Sequence, residues 1–308
     1  MSTPVAAVDC GTNSIRLLIA ESGPAGELVE IERRTEIVRL GQGVDATGEF
    51  HPDALRRTFA ATDAYAELIR AAGVAVDRIH FVATSASRDA RNRQEFFDGI
   101  EARLGVVPDV ITGDAEAQLS FTGAISRVRS AAEPVLVMDI GGGSTELIVG
   151  SGGELTSAIS LDIGSVRLTE RFLKVNPPAA EDVSAANDYV DGLLDRAGVD
   201  FAGIGTWIGV AGTATTLAGV LLGLEHYDRS KVHGSTLTVS AINEMLDRLT
   251  SMTVAQIKEL PSMHPGRADV ITAGTLIAAR IAARMPVPGL VDSESDILDG
   301  IALALLAR

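Results

Sequence analysis

Cysteine is nearly absent: Cys10 stands alone among 308 residues. That excludes an intramolecular disulfide and any thiolate zinc or iron–sulfur site, and fits a reducing compartment, so the cytoplasm is expected. Lysine is almost as scarce, with only Lys174, Lys231 and Lys258 among 26 basic residues. Against 41 Asp and Glu these leave a formal charge of -15, which argues against a general binder of nucleic acid or membrane surfaces; any anion must be held locally. No basic segment precedes an apolar run at the start, so no signal peptide is expected. The uncharged stretch from 202 to 224 carries six Gly and four Thr, and reads as strand, glycine turn and helix rather than a membrane span. The five histidines, His51, His80, His226, His233 and His264, show no metal-ligand spacing. Low-complexity tracts and short repeats are missing too. A length of 308 residues with 46% apolar content is enough for two ordinary domains, each with its own core.

What is present is a long-range repeat. Residues 8–19 read VDCGTNSIRLLI and residues 138–149 read MDIGGGSTELIV, at a constant offset of 130. Asp9 matches Asp139, Gly11 matches Gly141, and Ser14 matches Ser144, each set between apolar runs. Both segments predict a strand, a tight turn and a second antiparallel strand. Glycines in such a turn let backbone N–H groups converge on an anion, and small hydroxyls add donors. A single glycine hairpin is ordinarily structural; two at matching places in two chain halves suggest the two jaws of a phosphate clamp.

Around the hairpins, helix and strand patterns alternate. A helix is expected from Pro52 to Ala72 after the start signal at His51, and a short strand ending at Val82 is followed by Thr84 and Ser85, which could cap a helix carrying Arg88. A further strand leads to a helix from Asp114 to about Ala124. In the second half Trp207–Val210 reads as a strand, Gly212–Thr213 as a turn and Ala214–Leu222 as a helix. Such alternation implies α/β layering. The expected division is 1–124 and 125–308, with the boundary in the Ser-, Arg- and Ala-rich stretch from Gly123 to Ala132.

Paired Asp-x-Gly hairpins in duplicated α/β halves resemble the actin, Hsp70 and sugar-kinase superfold, in which two RNase-H-like domains hold phosphates in the cleft between them. Fold alone does not choose a function. The strings DCGTNSIRLLIA, ATSASRDA, ITGDAEAQL, MDIGGGSTELIVG, VAGTATTLAG and HPGRADVITAG are similar in order and spacing to those of the exopolyphosphatase and guanosine pentaphosphate phosphohydrolase (Ppx/GppA) family, over essentially the whole chain. The resemblance implies a role for each matching residue. Glu116 becomes the general base that takes a proton from the attacking water. The best-known branch of the family has a second acid just before it, where this chain has Ala115, which weakens any paired-carboxylate mechanism. Asp139 and Glu146 become the acids associated with Mg²⁺ or another divalent ion, which needs only one or two carboxylates beside water and substrate oxygens.

Phosphate contacts are expected from Asp9, Gly11, Thr12, Asn13, Ser14 and Arg16 on one side and Gly141, Gly142, Gly143, Ser144 and Thr145 on the other. Arg88 and Arg267 are further candidates. Arg16 aligns with Glu146 across the repeat, so one jaw would hold metal while the other grips phosphate through a planar guanidinium. Asp9 in a tight turn is equally a structural choice. Arg91 and Arg93 read as a solvated helix face, Gly212 and Thr213 as cleft lining, and Cys10 as packing rather than a nucleophile.

The expected activity is release of terminal phosphate from inorganic polyphosphate, by positioning and charge neutralisation. The same reaction at the 5′ end of guanosine pentaphosphate is the closest alternative. A kinase is disfavoured, since no string supplies an Asp base for a sugar hydroxyl. A non-catalytic alarmone or polyphosphate sensor and an actin-like filament protein are the alternatives of other classes. Longer family members carry an added helical C-terminal region, so a preference for shorter chains is expected here. Hinges are expected near Gly123 and Gly300. The apolar segment DGIALALLA should pack back between the domains, with a homodimer contact as its alternative role. No DNA or membrane partner is expected.

Overall fold

The computed structural model describes residues 3–126 and 132–308, the side chain of Asp89 apart. The chain forms two compact units, one comprising Met1–Gly123 with Asp296–Arg308 and the other Ala124–Ser295. The division after Gly123 lies beside the expected boundary, most of whose sequence (127–131) is outside the described residues. The expected second domain, 125–308, is corrected at its far end: the last segment returns to the first unit. Its apolar stripe explains this, because Ile297, Ile301 and Leu305 pack with Val5, Ala7 and Leu18 on the first sheet.

The first unit holds strands β1 (Val5–Cys10), β2 (Ser14–Ser22), β3 (Leu28–Ile37), β4 (Ile79–Ala83) and β5 (Asp109–Val110). They lie in the order β3-β2-β1-β4-β5. The first three form an antiparallel meander, and β4 and β5 add in parallel to β1. Helices Pro52–Ala71 and Arg93–Leu104 pack on one face through a core containing Leu55, Tyr65, Phe81 and Phe96. The final helix, Ile297–Leu306, covers the other. Coverage on both faces is why β1, at the centre, is buried at every residue.

The second unit repeats the plan with β6 (Val135–Ile140), β7 (Thr145–Ser151), β8 (Glu154–Leu161), β9 (Thr206–Val210), β10 (Thr236–Thr238) and β11 (Gly289–Asp292). Its order, read from the meander, is β8-β7-β6-β9-β11-β10. Only β10, antiparallel to β11 at the edge, is added. Each sheet therefore has the RNase-H-like arrangement expected from the duplicated hairpins.

Local expectations meet three differences. Thr84 precedes the Ser85–Asp89 helix but makes no side-chain cap bond. The Gly212–Thr213 turn is absent, because the chain passes from β9 directly into a helix over Ala211–Leu221; Ala211 takes up the change of direction with a φ of 59°. The helix expected from Asp114 begins at Gly113. No described helix is long and apolar enough to cross a membrane.

Candidate active site

In the first unit the turn between β1 and β2 is closed by Gly11 N–H donating to Ser14 O at 2.9 Å. The loop that follows β3 buttresses it, with Val38 and Arg39 amides donating to Asn13 O and Gly41 N–H to Thr12 O. Gly41 is required there, since a Cβ would stand 2.3 Å from the Thr12 methyl. Thr12 Oγ1 and Ser85 Oγ share a hydrogen bond of 3.0 Å, which ties the turn to the short helix that bears Arg88.

Glu116 lies in the first turn of the Gly113–Ile125 helix and is only 7% exposed. Arg88 Nη1 donates to Glu116 Oε2 at 3.1 Å and to Ile111 O at 2.9 Å. The structure thus brings together two residues that the sequence suggested separately. Arg88 lies beside the candidate base and helps hold its carboxylate. Thr112 prepares the helix start, accepting from Ala115 N–H through its hydroxyl and from Glu116 N–H through its carbonyl.

Arg16 is placed differently from expectation. It stands opposite Asp9 in the β1–β2 register, and its Nε and Nη2 donate to Asp9 Oδ2 at 2.9 and 2.6 Å. Nη1 donates to Asp296. All three guanidinium nitrogens face carboxylates, so Arg16 holds acids in place. Burial pushes the Asp9 carboxyl above the usual range, against the pull of Arg16. Burial also pushes the Cys10 thiol well up, which suits a packing role.

In the second unit Gly141 N–H donates to Ser144 O at 3.0 Å, the same closure as in the first turn. The carbonyls of Gly141 and Gly142 accept from the first amides of the Ser165–Arg171 helix. Gly164 permits that approach, since a Cβ there would lie 2.4 Å from Gly142 backbone. Thr213 Oγ1 donates to Ile140 O and Thr145 Oγ1 to Ile163 O, so both hydroxyls brace the loop. Among the described residues, none accepts the backbone N–H of Gly142 or Gly143, nor those of Thr12 and Asn13 in the first turn. Asn13 Oδ1, an acceptor, is also buried with no partner among the described residues. Grouped unpaired amides in a glycine turn are the donor pattern of an anion nest.

Asp139 and Glu146 face one another across the β6–β7 register, both nearly inaccessible. Glu146 Oε1 accepts from Ser160 Oγ at 2.9 Å. Like charges directly opposite on a sheet repel, and the oxygen donors of this pair fit a hard divalent ion that keeps several waters. Among the described residues no group of three or more His, Cys, Asp and Glu could hold a metal, so water and substrate oxygens would complete the shell. Arg267 lies over Gly212, where a Cβ would meet its Nη1 at 1.7 Å, and its Nη1 donates to Thr216 Oγ1 at 3.3 Å.

Sequence reasoning missed Asp296, Arg33 and Asp299, the acid–base chain beyond Arg16. Asp296 and Asp299 carried the spacing of a helix start before an apolar run, but nothing local pointed to Arg16, 280 residues away.

The Ppx/GppA phosphatase family model matches residues 18–307. Exopolyphosphatase 2 of Mycobacterium tuberculosis is 47% identical over 98% of this chain and 98% of its own. A solved structure of an exopolyphosphatase-like protein is 42% identical and superposes with a TM-score of 0.93 over 98% of this chain and 97% of its own. A guanosine-5'-triphosphate,3'-diphosphate pyrophosphatase of Photobacterium profundum is 25% identical over 98% of this chain and 59% of its own length.

Proposed function

The chain belongs to the Ppx/GppA phosphatase family, and from that premise we propose that it is a phosphoanhydride hydrolase acting on inorganic polyphosphate, with Glu116 as general base. The observation that carries the assignment is the buried Glu116 carboxylate fixed by Arg88 at the start of its helix. A carboxylate held in that place suits removal of a proton from water as the water oxygen attacks the terminal phosphorus. The bridging P–O bond then breaks, the shortened chain leaves, and orthophosphate is released.

Each unit carries candidate groups of its own. The first has Glu116, Arg88 and the amides of Thr12 and Asn13. The second has the Gly142 and Gly143 amides and the Asp139–Glu146 pair. When bound at those two acids, Mg²⁺ would neutralise charge on the transferred phosphoryl group. Donors fixed before the reaction stabilise charge at little reorganisation cost. Arg267, Gly141, Ser144 and Thr145 support the second loop and its approach by an anion.

Polyphosphate is placed first because the exopolyphosphatase relative matches this chain along nearly the whole of both lengths. Guanosine pentaphosphate is the second reading, supported by the more distant pyrophosphatase. A cytoplasmic setting rests on the single unpaired and buried Cys10. The test compares phosphate release from polyphosphate, guanosine pentaphosphate and ATP by the wild type and Glu116→Gln, with Mg²⁺. Polyphosphate should be the best substrate, and the variant should lose activity by about a hundredfold or more. Full activity in Glu116→Gln removes the base assignment; no release from any of the three removes the hydrolase reading in favour of a sensor.

A further inference from the structure

The final helix begins with a doubly used acid. Asp296 is its N-cap, accepting from Leu298 N–H through Oδ1 at 3.0 Å, while Asp299 returns a bond to the Asp296 amide at 3.2 Å. The other Asp296 oxygen accepts from Arg16 Nη1. Arg33 continues the pattern, donating to Asp299 Oδ2 at 2.9 Å and lying 3.9 Å from Asp296 Oδ1. Asp9, Arg16, Asp296, Arg33 and Asp299 thus form a row of alternating charges, no side chain in it more than 12% exposed. Burial works against the Asp296 charge, yet Arg16 and Arg33 together hold its carboxyl below the usual range.

The same segment braces the helix that bears Glu116. A Cβ on Gly123 would stand 1.8 Å from Asp296 O, and one on Gly300 would stand 2.0 Å from Leu119 O. The two helices therefore cross backbone to backbone, one turn beyond Glu116.

We propose that Asp296 is a positioning residue for phosphate release, acting through Arg16 to fix Asp9 and the turn that follows it. An N-cap alone needs only a side-chain oxygen, which Asn or Ser supplies equally well. The second oxygen of Asp296, aimed at Arg16, serves a different purpose. Arg16 is a long side chain on the hairpin strand, and a carboxylate at each end of its guanidinium holds it in one orientation. Because Arg16 in turn grips Asp9 with two nitrogens, the geometry of the first turn depends on the start of a helix almost three hundred residues later. The inference rests on the reading that this turn serves phosphate release.

Asp296→Asn separates the two roles, since it keeps the cap and removes the charge. In the full chain with Mg²⁺ and polyphosphate, kcat should fall about tenfold, KM should stay within about twofold, and the melting temperature should fall, because Arg16 and Arg33 stay buried with one carboxylate fewer. Arg16→Gln should lower kcat by a similar factor, and the double variant should be no worse than Arg16→Gln alone. Amide hydrogen exchange should quicken at residues 10–14 in Asp296→Asn and stay unchanged in the second unit. An unaltered kcat beside an active wild type, multiplied losses in the double variant, or unaltered exchange at 10–14 each overturns the proposal. If the wild type itself releases no phosphate, the functional reading has failed, and the exchange measurement alone decides the role of Asp296.

Discussion

Gly300→Ala isolates the helix crossing that supports Glu116. In an ordinary helix this substitution is favourable, because Ala restricts the unfolded chain and improves helix propensity by about 1 kcal/mol. At Gly300 the new methyl would fall 2.0 Å from Leu119 O, 2.8 Å from Leu119 C and 3.1 Å from its Cα. All three are backbone atoms, so no side chain can swing away. A comfortable carbon–oxygen approach needs more than an additional ångström, which the final helix can supply only by lifting from Val5, Ala7 and Leu18. Overpacking of this kind costs about 1–3 kcal/mol, and parting the apolar layer adds to it. Backbone atoms that cannot yield put the cost at the upper end of that range, so after the propensity gain a net loss of about 2 kcal/mol remains, or about 3 °C in melting temperature for 308 residues. Gly192→Ala is the matched control: it also lies inside a helix, and its methyl would meet only the mobile tip of Arg196 at 3.4 Å. Thermal unfolding followed by far-UV circular dichroism should give a lower midpoint for Gly300→Ala and an equal or higher one for Gly192→Ala. A Gly300→Ala midpoint within about a degree of the wild type would refute the backbone crossing.

Four other outcomes are expected. Arg88→Lys should lower kcat about tenfold or more with the fold intact, because an ammonium cannot reproduce the guanidinium contacts to Glu116 and Ile111 O; steady-state phosphate release checks this. EDTA should stop phosphate release and added Mg²⁺ restore it, and KM for polyphosphate should rise with salt as the local attraction that overcomes a net charge of -15 is screened. Asp292→Asn should change the pH dependence of stability. Both Asp292 oxygens are buried and have no partner among the described residues, and burial, followed by the nearby Glu294, pushes its carboxyl well above the ordinary 3.8. The native state therefore keeps a proton that the unfolded chain loses. Wild-type stability should fall as pH rises above that ordinary value, by up to about 1.4 kcal/mol per pH unit, until the native group ionises. The variant lacks this slope, so its midpoint relative to wild type should climb between about pH 5 and pH 7; a constant difference over that range would contradict the buried acid.

The duplicated hairpins were legible in the sequence because strand, glycine turn and strand are local, and their repetition marked two similar sheets. Glu116 was legible through the string around it, and its structural setting through a strand followed by a helix start. The partner of Arg16 was not. A cross-strand neighbour at Asp9 can be read from a hairpin register, whereas contact with Asp296 depends on how the chain returns after 280 residues. The final helix was seen as apolar, but a stripe says that a face is covered and not which sheet covers it. At Ala211 a Gly-Thr pair suggested a turn, yet a positive φ at the preceding alanine lets the helix begin at once. Tertiary packing overrode the local signal.

The two hairpins also show one repeated design carrying two charge patterns. At the matching position across the strands, the first pairs Asp9 with Arg16 and the second pairs Asp139 with Glu146. An arginine supplied by the chain pairs with the first acid, and Asp296 fixes that arginine from the far side. The second hairpin sets acid against acid, an arrangement that Coulomb repulsion makes costly unless a cation offsets it. A fixed internal ion pair suits a turn whose amides must keep one geometry. On the reading proposed above, the carboxylate pair of the second hairpin would take up a divalent ion. Replacing Glu146 by Arg would give the second hairpin the charge pattern of the first, and titration calorimetry with Mg²⁺ should then detect no binding at that hairpin while its strands still pair.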